Sequence, residues 1–200
     1  MHVYVVIAHP SDESFTRRVL AEFLRGLSDA GHTFEVGDLY ATGFQAVMNV
    51  DEYRREMGMA QSILSQDVRF EQDKLRRADA LALLYPLWWG DVPARLKGWF
   101  DRVFTQGFAY QFEGGKFEGL LKLKKALALV SAGDTVENLE AGGLAAAMRR
   151  VMLDNRLRGC GVAEAELAIL GGLQDADEAL RQRNLEKAYA LGKDFGSPTP

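Results

Sequence analysis

The sequence predicts an α/β fold: an open, mostly parallel sheet of five strands with helices on both faces. Two observations carry this. Apolar runs of strand length alternate with amphipathic stretches of helix length along the 200 residues, the pattern of a layered α/β domain. The first run, VYVVIA, is also nearly continuous in apolar residues, as a strand covered on both faces is. Crossovers between such strands are right-handed. Of the two common strand orders, 2-1-3-4-5 suits five strands.

Residues 3–8, VYVVIA, form the first strand. Residues 15–31 form a helix: Phe15, Val19, Phe23 and Leu27 recur at four-residue spacing, and Gly31 is a suitable stop. TFEVGDLY (33–40) is the second strand, ALALLYP (80–86) the third and ALALVSAG (126–133) the fourth. Helices run from Pro93 to about Phe104 and over roughly 139–157. In the first of these, Leu96, Trp99, Phe100 and Val103 share one face, so Trp99 reads as core. Pro93 sits where a first helical turn tolerates proline. AEAELAIL (163–170) is the fifth strand, and 175–195 the closing helix. Residues 41–70 are rich in Met, Gln and Arg, have no clean period and are too long for a plain loop. They read as an excursion with one or two short helices, inside a single domain covering 1–195. The tail 196–200 is expected to be disordered.

The composition narrows the function classes. The hydrophobic share of 48% and charged share of 26% are ordinary for a globular protein. A chain of this length buries a core without disulfide or metal staples. The net charge of −4 argues against a general nucleic-acid surface, which would be basic. It leaves room for an anionic cofactor, because a few local N–H groups hold one phosphate. With one cysteine, Cys160, and three histidines, His2, His9 and His32, no metal-ligand cluster is visible. Cys160 reads as packing. No apolar run approaches the ~20 residues of a membrane span, and the chain opens without a basic leader. The protein reads as soluble and cytoplasmic.

Three segments carry chemistry, all at strand ends. AHPSDESFTRR (8–18) places Ser11, Ser14 and Thr16 where a helix opens, and a helix N-terminus suits a phosphate. It contains neither GxGxxG nor GxxxxGK[ST]. The plainer alternative is a helix cap by Ser14 or Asp12. PLWWGDVP (86–93) places Trp88 and Trp89 in a turn that should be polar. In the predicted order this turn lies beside the Ser/Thr loop, at the switch point where ligands bind. A phosphate cradle beside an aromatic wall fits a flavin. VSAGDTVENLEAGG (130–143) is the next strand-end loop, and the Ala132 and Gly133 N–H groups are candidates to meet polar ring atoms. Its plainer reading is a strand-to-helix connection capped by Asp134 or Thr135.

With AHPSDESFTR, DLYATGF and above all PLWWGDVPARLKGWFDRVFTQGFAY, the chain resembles the flavodoxin-like NAD(P)H:quinone oxidoreductases, including their short bacterial members. The resemblance covers about residues 2–170. It implies a flavodoxin-like fold and a flavin, FAD with FMN as the alternative, with NAD(P)H as co-substrate. It implies that His9, Phe15 and Thr16 contact the phosphate and ribose part. Pro86, Leu87, Trp88, Trp89 and Gly90 would wrap the ring, and Ser131, Ala132 and Gly133 complete the wrap. It also implies a homodimer with a shared site, Tyr110 and Phe112 lining the substrate pocket from the other subunit, and a quinone or similar acceptor. The chain departs from the family in its SAGD loop. Leu139 and Ala145 stand near where the best-known members carry a Tyr and a His. Two other readings keep the fold and flavin: a regulatory subunit docked on a transporter, and a one-electron carrier.

Overall fold

The apolar runs become the central sheet. The computed structural model describes residues 1–59 and 63–197. Its strands are β1 (His2–Ile7), β2 (Thr33–Asp38), β3 (Ala80–Pro86), β4 (Tyr110–Glu113), β5 (Lys116–Gly119), β6 (Lys125–Ser131) and β7 (Glu164–Leu170). Five pair in parallel in the order β2-β1-β3-β6-β7, which is the predicted 2-1-3-4-5. Every residue of β3 and β6 is buried. Such strands need cover on both faces, and the helices supply it. They are α1 (Phe15–Asp29), α2 (Val50–Glu56), α3 (Gln66–Arg77), α4 (Ala94–Val103), α5 (Val136–Ala141), α6 (Leu144–Arg149) and α7 (Glu178–Lys193). A π-helical stretch, Arg150–Arg158, continues α6 without a break.

One face of the sheet packs under α1 and α7. There Val3, Val5 and Ile7 meet Phe23, Leu27 and Phe195. α1 and α7 approach at a notch of two glycines. A Cβ on Gly26 would overlap the Tyr189 carbonyl, and one on Gly192 would overlap the Phe23 carbonyl. The other face packs Tyr4, Val6, Leu81 and Leu83 under α4 and the α6 segment, with Leu96, Trp99, Val103 and Met152. Trp99 is core, as expected. Its ring meets Phe100 and Phe104 at 5.3 and 5.4 Å, and its Nε1 donates to Glu71 Oε2 at 2.7 Å. Glu71 is a buried carboxylate, tolerable only when fully paired. Tyr4 donates to it as well, and Lys74 Nζ holds its other oxygen at 2.7 Å.

Three local features differ from the sequence expectation. The excursion 41–70 contains α2, but its last residues begin α3, a regular 12-residue helix. The helix expected over 139–157 is interrupted at Gly142–Gly143, where Gly143 takes φ +76°. β4 and β5 form an antiparallel hairpin that was not anticipated. Of the tail expected to be disordered, the Ser197 carbonyl accepts from Lys125 Nζ at 3.2 Å; residues 198–200 lie outside the described residues. Cys160 is buried against the Gly119 backbone, and burial pushes its thiol up to about 11.

The excursion is tied to the sheet layer by Arg102, at the end of α4. Its guanidinium reaches Glu52 at 2.7 Å, Asp67 at 2.6 Å and the Gln45 carbonyl at 2.5 Å. Burial pushes both carboxyls up, but the Arg102 bonds, the backbone N–H groups and Ser65 outweigh it, so both lie below their ordinary values. With folded-state values depressed, the stabilisation is complete above the ordinary carboxylate range and is lost as pH falls through the folded-state values. Arg102→Met should therefore cost about 3–5 kcal/mol at pH 7, the cost of orphaning a buried charge. In urea unfolding the gap between wild type and variant should narrow as pH drops below about 4. A gap independent of pH would show that the ion pairs are not what Arg102 contributes.

Candidate ligand crevice at the strand ends

β1 and β3 lie side by side, and their chains leave toward opposite faces of the sheet: β1 leads to α1, β3 to α4. That divergence opens a crevice at their carboxyl ends, next to the end of β6. The loops cross-bond around it. Leu87 N–H donates to the Ser131 carbonyl at 2.8 Å. The hydroxyls of Thr16 and Ser131, both buried, bond each other at 2.7 Å. The His9 and Trp88 rings meet at 5.9 Å. These contacts bring His9, Thr16, Leu87, Trp88 and Ser131 together.

The α1 end is shaped for an anion. Ser14 is the cap, its hydroxyl accepting the Arg17 N–H at 3.3 Å, so the capping reading of that serine holds. The Phe15 and Thr16 N–H groups, however, have no acceptor among the described residues. They sit at the positive end of a 15-residue helix with no acid in its first turn. Arg17 holds Asp12 at 3.2 Å and Asp38 at 2.5 Å, yet its Nε is buried without a partner. His9 Nδ1 lies 3.0 Å from the Ser11 backbone nitrogen and 3.2 Å from the Ser11 carbonyl oxygen, so this loop holds the ring by its Nδ1 edge. Burial lowers the His9 pKa; the Ser11 backbone opposes it, and the Arg17 charge adds a smaller downward push.

The tryptophan turn has a defined geometry. Trp88 and Asp91 exchange both backbone hydrogen bonds at 3.1 Å. Trp89 and Gly90 between them take φ of +51° and +81°, the signature of a type I′ turn. Trp89 is the one non-glycine with positive φ among the described residues, a conformation costing about 1–2 kcal/mol. The turn holds its indole fully exposed, while Trp88 is 41% exposed. The two indoles therefore do not form one continuous wall. Trp88 faces His9; Trp89 borders a cavity with Leu144 and Met148.

The remaining expected residues divide. Pro86 is buried and ends β3, and Gly133 is exposed at the crevice rim. The Ala132 N–H already donates to the Leu170 carbonyl at 2.9 Å, so of that pair the Gly133 N–H remains. Thr135 caps α5, accepting the Asn138 N–H at 3.2 Å. Phe15 packs toward α7, beneath the guanidinium groups of Arg18 and Arg181. Tyr110 and Phe112 lie on β4. Tyr110 stacks on Phe117 at 5.1 Å, and its hydroxyl lies 3.5 Å from Glu56. Leu139 and Ala145 are both buried. Tyr85, Asp91, Arg156 and the orphaned Arg17 were not marked by sequence. Tyr85 had one signal, a lone hydroxyl at the last inward position of an apolar strand.

A doubly wound sheet with free N–H groups, a neutral imidazole and an indole gathered at its switch point has the architecture of the flavodoxin class. Comparison with known proteins narrows this. The flavodoxin-like fold family Flavodoxin_2 matches residues 1–191. A solved NAD(P)H:quinone oxidoreductase from Methanothermobacter marburgensis superposes with a TM-score of 0.93 at 49% identity, covering 98% of each chain. An uncharacterized NAD(P)H oxidoreductase of Haemophilus influenzae is 29% identical over 94% of this chain and 92% of its own. Human ribosyldihydronicotinamide dehydrogenase [quinone] is 39% identical over 68% of this chain, which spans 64% of the human protein. The chain belongs to the family of flavodoxin-like NAD(P)H:quinone oxidoreductases, a family of enzymes. Among the described residues no helix is long and apolar enough to cross a membrane.

Two substitutions separate the indoles by role. Trp89→Gly should raise stability by about 1 kcal/mol, because glycine accepts positive φ and no packing is lost. Trp99→Ala should lower it by about 3–5 kcal/mol. Urea unfolding of both variants measures the contrast; a large loss from Trp89→Gly would mean that the exposed indole supports the fold.

Proposed function

We propose that the protein is a flavin-dependent oxidoreductase that takes a hydride from NAD(P)H and delivers it to a quinone or similar acceptor. The observation that carries this is the convergence, at the ends of β1, β3 and β6, of unpaired N–H groups with the Trp88–Asp91 turn. The bound flavin would supply the hydride chemistry. This chain would supply position. The Phe15 and Thr16 N–H groups would donate to a phosphate oxygen, and the neutral His9 would present its Nε2 edge beside them. Thr16 takes part through its backbone, since its hydroxyl is bonded to Ser131. Pro86 to Gly90 would border the ring, and the Gly133 N–H would be free to meet a polar ring atom. With Leu139 and Ala145 near the places of the family's Tyr and His, none of these residues moves a proton.

The cofactor is read as FAD from the family resemblance, with FMN as the alternative. The site is read as shared in a homodimer. Exposed apolar side chains on the excursion, Tyr53, Met57 and Met59, and on the hairpin, Phe112 and Phe117, are surface that a second copy would cover.

The test is the absorbance of purified protein between about 350 and 500 nm, the mass of the released chromophore, and steady-state oxidation of NADH and NADPH with a simple quinone. Bound flavin and quinone-dependent turnover are expected. Trp89→Gly should weaken flavin binding by about 1–3 kcal/mol as ring contact is lost. Protein that cannot bind added flavin would refute the reading. Bound flavin without turnover would favour the regulatory-subunit alternative.

A further inference from the structure

One ion pair joins the tryptophan turn to the π-helical end of the α6 segment. Arg156 Nη1 and Nη2 donate to the two carboxylate oxygens of Asp91 at 3.0 and 3.1 Å. In this two-pronged geometry a guanidinium fixes direction as well as distance. Asp91 is the residue that closes the type I′ turn. Its backbone exchanges both bonds with Trp88, and its Oδ1 also accepts the Val92 N–H at 2.8 Å. The Arg156 side chain is mostly buried and lies over the Phe100 ring at 5.3 Å, so the pair rests on α4. Burial pushes the Asp91 carboxyl up. Its bonds to Arg156 and Val92, with the charges of Arg156 and Lys97, outweigh that, so it lies below its ordinary value and is ionised at neutral pH.

The turn needs an anchor. Trp89 holds a positive φ with its indole in water, so its own packing does not offset the strain. The N–H groups of Trp89 and Gly90 have no acceptor among the described residues. A turn with two idle central donors is held in shape by what grips its ends. The π-helical stretch Arg150–Arg158 supplies that grip. Val151 and Arg156, five residues apart, both border the cavity beside Trp89, which is the spacing of a π-helix. At α-helical spacing Asn155 would lie on that face instead, yet it is exposed. Arg150 and Arg158 bond Asp154 on their own helix, whereas Arg156 reaches a partner 65 residues away.

We propose that Arg156 is a positioning residue: through Asp91 it fixes the tryptophan turn in the conformation that receives the flavin ring. What the turn receives rests on the proposed oxidoreductase function; the clamp itself does not. The full chain labelled with 5-fluorotryptophan gives one fluorine NMR signal for each of its three indoles, assigned with Trp88→Phe and Trp89→Phe. With no flavin added, Asp91→Asn and Arg156→Met should each shift or broaden the Trp89 signal and leave the Trp99 signal in place. Loss of the fold would move Trp99 too. Fluorescence titration with FMN and with FAD then reads affinity. Each variant should bind the flavin about fivefold more weakly, the worth of one partly exposed, two-pronged ion pair. The double variant should bind no more weakly than either single one, because both changes cut the same clamp. Arg156→Lys, which keeps the charge and one bond, should recover part of the loss, and it carries the test if Arg156→Met fails to fold. An unmoved Trp89 signal, an unchanged flavin affinity, or losses that add in the double variant would overturn the proposal. Wild type that binds neither flavin would refute the oxidoreductase reading instead, and the Trp89 signal would still report whether Arg156 holds the turn.

Discussion

The pairing of β1 with β3 is the constraint from which the crevice follows. Both strands are buried on both faces, so their connections must leave at the carboxyl ends and cover opposite sides. One chain turns to α1 and the other to α4, and the space between them cannot be filled by either. Backbone groups that a buried sheet would satisfy are left facing that space. The positive end of α1, the turn after β3 and the loop after β6 are gathered there by strand register alone: Ile7 pairs with Leu84, and Pro86 with Ser131. Side chains then lock the loops, with the Thr16–Ser131 pair as the bolt on the floor.

Charge is handled differently in the interior and at the site. Inside, Glu71 and Arg102 are each saturated by several partners, so they hold elements in place and carry no further chemistry. At the crevice the polar groups are left with unused capacity: two α1 N–H groups and the Arg17 Nε. Arg55 Nη1, on α2, is buried without a partner as well, so the crevice is marked by the gathering of such groups at the switch point and not by their absence elsewhere.

Much of this was legible in sequence because it depends on burial. The five sheet strands are apolar runs, and the strand order with its crevice follows from them. Trp99 declares itself core by its spacing with Leu96, Phe100 and Val103. The missed parts depend on polar groups or on backbone sign. α3 buries Glu71 and Gln72 beside Val68 and Leu75, so its inner face does not look apolar. The β4–β5 hairpin exposes most of its residues, and its signal was the Gly114–Gly115 pair, both at positive φ. The two adjacent indoles look alike in sequence, but the sign of φ at Trp89 sends them to different neighbours. Arg156 and Asp91 are far apart in the chain, and no local pattern announces their meeting.

The glycine notch between α1 and α7 bears on how the chain acquires its structure. α1 is the first and α7 the last of the described helices, yet each closes over the other's backbone at Gly26 and Gly192. Until α7 arrives, Phe23 and Leu27 have a sheet beneath them and water above. Contacts so distant in sequence form late and slowly. While α7 is undocked, α1 thus presents an apolar face to water, the kind of surface that chaperones hold.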